Sequence, residues 1–200
     1  MQGRLDIYLA RHCAPTLLGA KAASLVSLPY KDFPDLPQLA KEYTGRYAAC
    51  GLAFLPLCEC KQRRLLLVYR PASLKNSLSA PQAAAILRGF GYDTGQGLDG
   101  MLAALRGRFA GACGFPHEIG LFLDYPPKDV QAFIETGGEG CKLCGYWKVY
   151  HDVEAARERF ACFDACRACL GRMLAAGNTI SQLLCAALNS SAARRFAKQC

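Results

Sequence analysis

Apolar residues recur three and four positions apart over most of this chain, and run together over only a few short stretches. Leu5, Tyr8, Leu9 and His12 share one helical face. A first helix is therefore expected over residues 4–14, stopped by Pro15, because proline disfavours a helical conformation in the residue before it. Ala23 to Leu28 reads as a short strand closed by Pro29. Leu36, Leu39, Ala40, Tyr43 and Tyr47 outline a second amphipathic helix that closes near Gly51.

The apolar runs Leu52 to Cys60 and Leu65 to Arg70, joined by Lys61-Gln62-Arg63-Arg64, predict a hairpin. Pro56 places its first strand at an edge or on a bulge. Ser79 and Gln82 have capping-box spacing and predict a helix through Arg88, ended by Gly89 and Gly91. Leu98, Met101, Leu102, Leu105 and Phe109 mark another helix.

Pro127 suits a first helical turn with Asp129 near the positive end of the dipole. Val130, Phe133 and Ile134 would form the buried face, and Gly137-Gly138 the stop. Tyr146 to Tyr150 reads as a strand, Val153 to Ala176 as a long helix, and Thr179 with Gln182 caps a last helix to about Leu188. The order predicts an α+β fold: a small, mostly antiparallel sheet of three to five strands packed by several helices, with a helical C-terminal part. Residues 1–188 are expected to form one domain and 189–200 a weakly ordered basic tail.

Composition narrows the partners. With 52% hydrophobic and 20% charged residues the chain is globular. Its longest apolar runs are too short to span a membrane, and Met1 to Asp6 lacks a signal-peptide pattern, so a cytoplasmic protein without a membrane partner is expected. The net charge of +8 comes from basic residues dispersed along the chain. That pattern reads as a solvated positive surface and not as a nucleic-acid face. Twelve cysteines are expected to stay reduced in that compartment, as core hydrophobes, metal ligands or reactive thiols.

Four blocks carry a resemblance. They are His12-Cys13-Ala14-Pro15-Thr16; Tyr69-Arg70-Pro71; Phe115 to Leu123 with Tyr125-Pro126-Pro127 and Asp129-Val130; and Gly145-Tyr146-Trp147-Lys148-Val149-Tyr150. Over about residues 4–187 the chain resembles an uncharacterised family of Clostridia and related Firmicutes known as a domain of unknown function. Asp124 stands where that pattern carries Gly. The resemblance implies no activity, cofactor or catalytic residue; an association of some members with flavodoxin or iron-uptake genes implies a flavodoxin-like redox partner.

Several motifs bear on chemistry. Cys162, Cys166 and Cys169 have the spacing of a radical-SAM cluster, but they fall on one face of a predicted helix, where packing explains them. Gly95 to Gly100 matches G-x-G-x-x-G without the preceding strand that dinucleotide binding needs. Cys141 and Cys144 form a C-x2-C knuckle able to hold a metal with a second pair, or to act in redox chemistry.

Three functional readings follow. The first is an accessory or binding protein for a small anionic ligand or cofactor, held by His12, Thr16, Lys21, Arg70, Tyr146, Trp147 and Lys148, because cations with aromatic walls suit phosphate or carboxylate. The second is a thiol-dependent hydrolase or transferase, with Cys13 as nucleophile, His117 as base and Glu118 orienting the imidazole. The third is a metal or redox protein using Cys141 and Cys144. All expect the segment after the first helix to lie near His117 and Trp147.

Overall fold

The computed structural model describes residues 2–59, 63–110 and 115–189. Its elements begin with α1 (Gln2–Leu17), β1 (Ala23–Pro29), α2 (Leu36–Tyr47), β2 (Ala53–Glu59) and β3 (Arg63–Tyr69). There follow α3 (Pro71–Ser79), α4 (Pro81–Gly89), α5 (Gly97–Ala110), the single turn α6 (Ile119–Phe122) and α7 (Pro127–Thr136). The short strands β4 (Leu143–Cys144) and β5 (Lys148–Val149), then α8 (Val153–Ala175) and α9 (Ile180–Asn189), complete the order. The fold is α+β. The chain divides into two compact units, Met1–Arg70 with Ala161–Cys200, and Pro71–Phe160. The expected basic tail lies outside the described residues from 190 onward.

The first unit is built on an antiparallel sheet of order β1-β3-β2. Leu66, Leu67 and Val68 of the central β3 are all fully buried, as expected of a strand covered on both faces. The outer β2 slips register between Pro56 and Cys58, so the proline sits at an edge and beside a bulge. Helix α1 packs on β1 and α2 on β2. The five residues that marked α2 are the five it buries, each worth about 1.5–3 kcal/mol for the larger apolar side chains.

Helix α1 overruns its predicted stop, with Pro15 inside it. Proline removes one backbone donor, but the last turn finds others. The carbonyls of Ala14 and Pro15 accept from the amides of Leu18 and Ala20 at 2.9 and 2.8 Å. Those of Thr16 and Leu17 accept from the Arg70 guanidinium at 2.7 Å each. A tertiary cap thus supplies what the local sequence lacks.

The second unit gathers α3 to α7, the β4–β5 ladder and the first residues of α8. The capping box expected at Ser79 does not form. Ser79 ends α3, and α4 starts on Pro81 with no side-chain cap, because proline is pre-set for a first helical turn. Helix α3 was unanticipated, although Pro71 and the buried pair Leu74 and Leu78 have helical spacing. The strand expected over 146–150 shrinks to the two residues of β5. At α9 the capping box does form: the Thr179 amide donates to Gln182 Oε1 at 2.8 Å and the Gln182 amide to Thr179 Oγ1 at 3.2 Å. Among the described residues no helix is long and apolar enough to cross a membrane.

Candidate functional site

Within the Pro71–Phe160 unit the chain from Phe115 to Lys148 encloses a pocket of about 320 Å³. Its path is set residue by residue. The carbonyls of Pro116 and His117 accept from the amides of Ile119 and Gly120, both at 3.2 Å, winding the chain into α6. Gly120 permits that turn to meet α7, since a Cβ there would lie 2.8 Å from a Val130 methyl. Asp124 then reverses the chain at φ +61°, a left-handed conformation that only it adopts among the described non-glycine residues. Its carboxylate accepts from Ser77 at 2.8 Å and from Arg159 at 3.1 Å, which holds the turn. Pro126 and Pro127 direct the chain into α7, closed by left-handed Gly137.

Asp129 sits in the first turn of α7, 4% exposed, and fixes the far wall. One carboxylate oxygen accepts from Trp147 Nε1 at 2.8 Å. The other accepts from the amides of Tyr150 and His151 at 3.0 and 3.1 Å, and lies 3.2 Å from His151 Nδ1. Two forces stabilise this buried charge: these hydrogen bonds, and the positive end of the α7 dipole. Trp147 is thereby held with its ring stacked on Tyr125 at 5.3 Å and edge-on to Phe160 at 4.5 Å.

The rest of the wall is aromatic with one flexible cation. His117 meets Phe133 edge-on at 5.2 Å. Lys148 Nζ donates to the Gly138 carbonyl at 2.6 Å and lies 5.9 Å from the Phe133 ring centre. Gly145 is required beside Trp147, because a Cβ there would lie 2.2 Å from Phe160.

The pocket's segment falls inside a recognised family. A description that reads "Protein of unknown function (DUF3793)" matches residues 9–184. The chain belongs to this family. The DUF3793 match covers every residue of the pocket. No curated protein and no solved structure matches the chain.

Within this DUF3793 chain the predicted site residues divide between the two units. His117, Trp147, Lys148 and Cys144 line the one pocket. Tyr146 is turned toward Phe160, at 5.5 Å. Glu118 is buried, accepts from Tyr92 at 3.0 Å and forms an ion pair with Arg108. Its carboxylate is thereby engaged with Tyr92 and Arg108. Cys141 and Cys144 are free thiols. Among the described residues no three His, Cys, Asp or Glu side chains gather to hold a metal.

Cys13, His12, Thr16, Lys21 and Arg70 belong to the other unit. Cys13 is fully buried, and burial pushes its thiol up to about 12, outweighing the nearby Lys21 charge. That environment disfavours a nucleophilic thiolate. Thr16 Oγ1 pairs with Ser24 Oγ at 2.8 Å, and buried Lys21 lies 5.7 Å from the Phe163 ring centre. Arg70 donates to the carbonyls of Thr16, Leu17 and Cys50. His12 is exposed against Tyr8, its pKa lowered by partial burial and by Arg11 and Arg167. On the helix α8, Cys162 is disulfide-bonded and Cys166 buried, so the radical-SAM spacing does not present three thiolates together.

Sequence reasoning singled out His117, Trp147 and Lys148 for this wall but missed Tyr125 and Phe133 as lining residues. It placed Asp129 at the helix start without its partners. The signal for Asp129 was there in part, since an acid at the third position of a helix next to a Pro-Pro pair is placed by the dipole alone.

Proposed function

We propose that the protein is a cytoplasmic binding protein for a small anionic ligand, held in the pocket of the Pro71–Phe160 unit. The observation that carries this reading is Lys148 in the lining of a mostly apolar, aromatic cavity. Its Nζ has three donors and, among the described residues, gives one to the Gly138 carbonyl, which leaves donors for a ligand oxygen. Asp129, the acid of the lining, has its oxygens occupied by Trp147, Tyr150 and His151, so it offers little to a cationic guest. Pockets of this kind, mostly apolar with a few fixed polar groups, are the usual form of small-molecule sites.

The chain has a single tryptophan, so Trp147 emission reports on the pocket directly. Titration of the full chain with benzoate, acetate and inorganic phosphate is expected to give a saturable change with at least one of them, weakened in Lys148→Met. An emission that stays flat with all three removes the reading.

A further inference from the structure

We infer that the pocket selects a planar aromatic monocarboxylate, a one- or two-ring body bearing a single negative group. This rests on the binding reading above and goes on to name the ligand class.

Size sets the first limit. A volume of about 320 Å³ lies at the small end of ligand pockets, which run from about 300 to 1,000 Å³. It equals roughly ten waters at about 30 Å³ each. A dinucleotide or flavin is too large.

The walls set the second limit. Phe115, Tyr125, Phe133, Trp147 and the His117 ring all face one cavity. They form two groups, Tyr125 stacked with Trp147 at an interplanar angle of 29° and His117 edge-on to Phe133 at 62°. A flat ring entering between such groups gains offset-stacked and edge-to-face contacts, about 0.5–1.5 kcal/mol per pair beyond the area it buries. A saturated ring of equal bulk gains only the area.

Charge sets the third. A cationic guest is disfavoured because the protein's own cations already sit over the rings, Arg159 at 5.3 Å from Trp147 and Lys148 at 5.9 Å from Phe133. A polyanion is disfavoured too. The lining contains Lys148 but no arginine, and the positive end of α7 is already matched by Asp129. One carboxylate against one ammonium is the match that remains.

The test compares five probes on the full chain, read by Trp147 emission and by the shift of its indole N–H resonance. They are 2-naphthoate, benzoate, cyclohexanecarboxylate, benzamide and inorganic phosphate. Benzoate or 2-naphthoate is expected to bind at least tenfold more tightly than the other three. Lys148→Met is expected to bring benzoate down to the level of benzamide, and Lys148→Arg to keep the preference. A urea midpoint near wild type establishes that each variant is folded. If cyclohexanecarboxylate or phosphate binds as tightly as benzoate, the aromatic inference is overturned and the anionic-ligand reading stands. If benzamide equals benzoate, both fall on charge. If no probe binds, the pocket reading itself is overturned.

Discussion

Trp147 donates its indole N–H to the buried carboxylate of Asp129 at 2.8 Å, and this one bond ties the wall of the pocket to the first turn of α7. Through its other oxygen Asp129 also holds the amides of Tyr150 and His151. The short β4–β5 ladder, only two residues long on each side, is too small to fix a tryptophan by itself. The carboxylate makes up that deficit, so pocket shape and local stability depend on the same side chain.

Asp129→Ala should therefore cost about 3 kcal/mol, because two buried N–H groups and one part-buried one lose their acceptor and each unsatisfied buried donor costs about 1–3 kcal/mol. Asp129→Asn should cost less, near 1–2 kcal/mol, since its carbonyl can still serve the two backbone amides while its NH2 meets the indole N–H donor to donor. Urea unfolding gives both values. Trp147 emission of Asp129→Ala should shift to the red in the folded state; an unshifted spectrum would count against the anchoring role.

Arg70 presents the same logic in the other unit. Its guanidinium closes α1 by donating to the carbonyls of Thr16 and Leu17 and ties it to the Cys50 carbonyl, and burial lowers its pKa from the ordinary value while leaving it cationic. Arg70→Met should destabilise by about 2–4 kcal/mol, from charged hydrogen bonds worth about 1.5–3 kcal/mol each that do not add fully. Arg70→Lys should recover less than half of that loss, because a single ammonium cannot reproduce the planar fork. Equal urea midpoints for Arg70→Lys and wild type would refute the fork argument.

These two residues show where the sequence could be read and where it could not. The spacing Leu36, Leu39, Ala40, Tyr43, Tyr47 carries α2 in full, because an amphipathic helix against a sheet needs only its own periodicity. Pro56 predicts an edge or a bulge for a reason equally local, and β2 has both. Pro15 misled, because the donors that let α1 continue include Arg70, more than fifty positions away. Arg70 looked like a ligand-binding cation for the same reason: a cation beside a loop reads alike whether its acceptors are carbonyls or a guest. Of the pocket, His117, Trp147 and Lys148 stood out as unusual residues, whereas Phe133 read as ordinary helix core and Tyr125 only as part of a turn. Which aromatic rings share one cavity is a tertiary fact, and periodicity does not encode it.

The turn at Asp124 invites a two-variant comparison. A left-handed φ of +61° costs a non-glycine residue roughly 1–2 kcal/mol, a cost the bonds to Ser77 and Arg159 offset. Asp124→Ala keeps the strain and loses the bonds, so it should be destabilised by about 1–2 kcal/mol. Asp124→Gly loses the bonds and the strain together and should lie within about 1 kcal/mol of wild type. Thermal or urea midpoints that rank Ala above Gly would contradict this account.

Alkaline pH should weaken the fold, and Cys13 gives the reason and the sign. Its thiol is held at about 12 in the folded chain against an ordinary 9.0, so the folded state keeps a proton that the unfolded state releases. Below about 9 both states are protonated and the contribution to stability is fully present. As pH rises from about 9 toward about 12 the unfolded chain alone ionises, and stability falls. Tyr125, raised by burial to about 12 from 10.0, works in the same direction. Cys13→Ala removes the cysteine's part, so its urea midpoint should decline less steeply with pH over that window, starting from a lower value because a buried Sγ is lost. Native Cys13 should also resist alkylation at neutral pH while exposed Cys144 reacts, as peptide mapping by mass spectrometry would reveal. Rapid labelling of Cys13 in the folded chain would mean that the thiol is reachable, and with it the thiol-enzyme reading would regain its nucleophile.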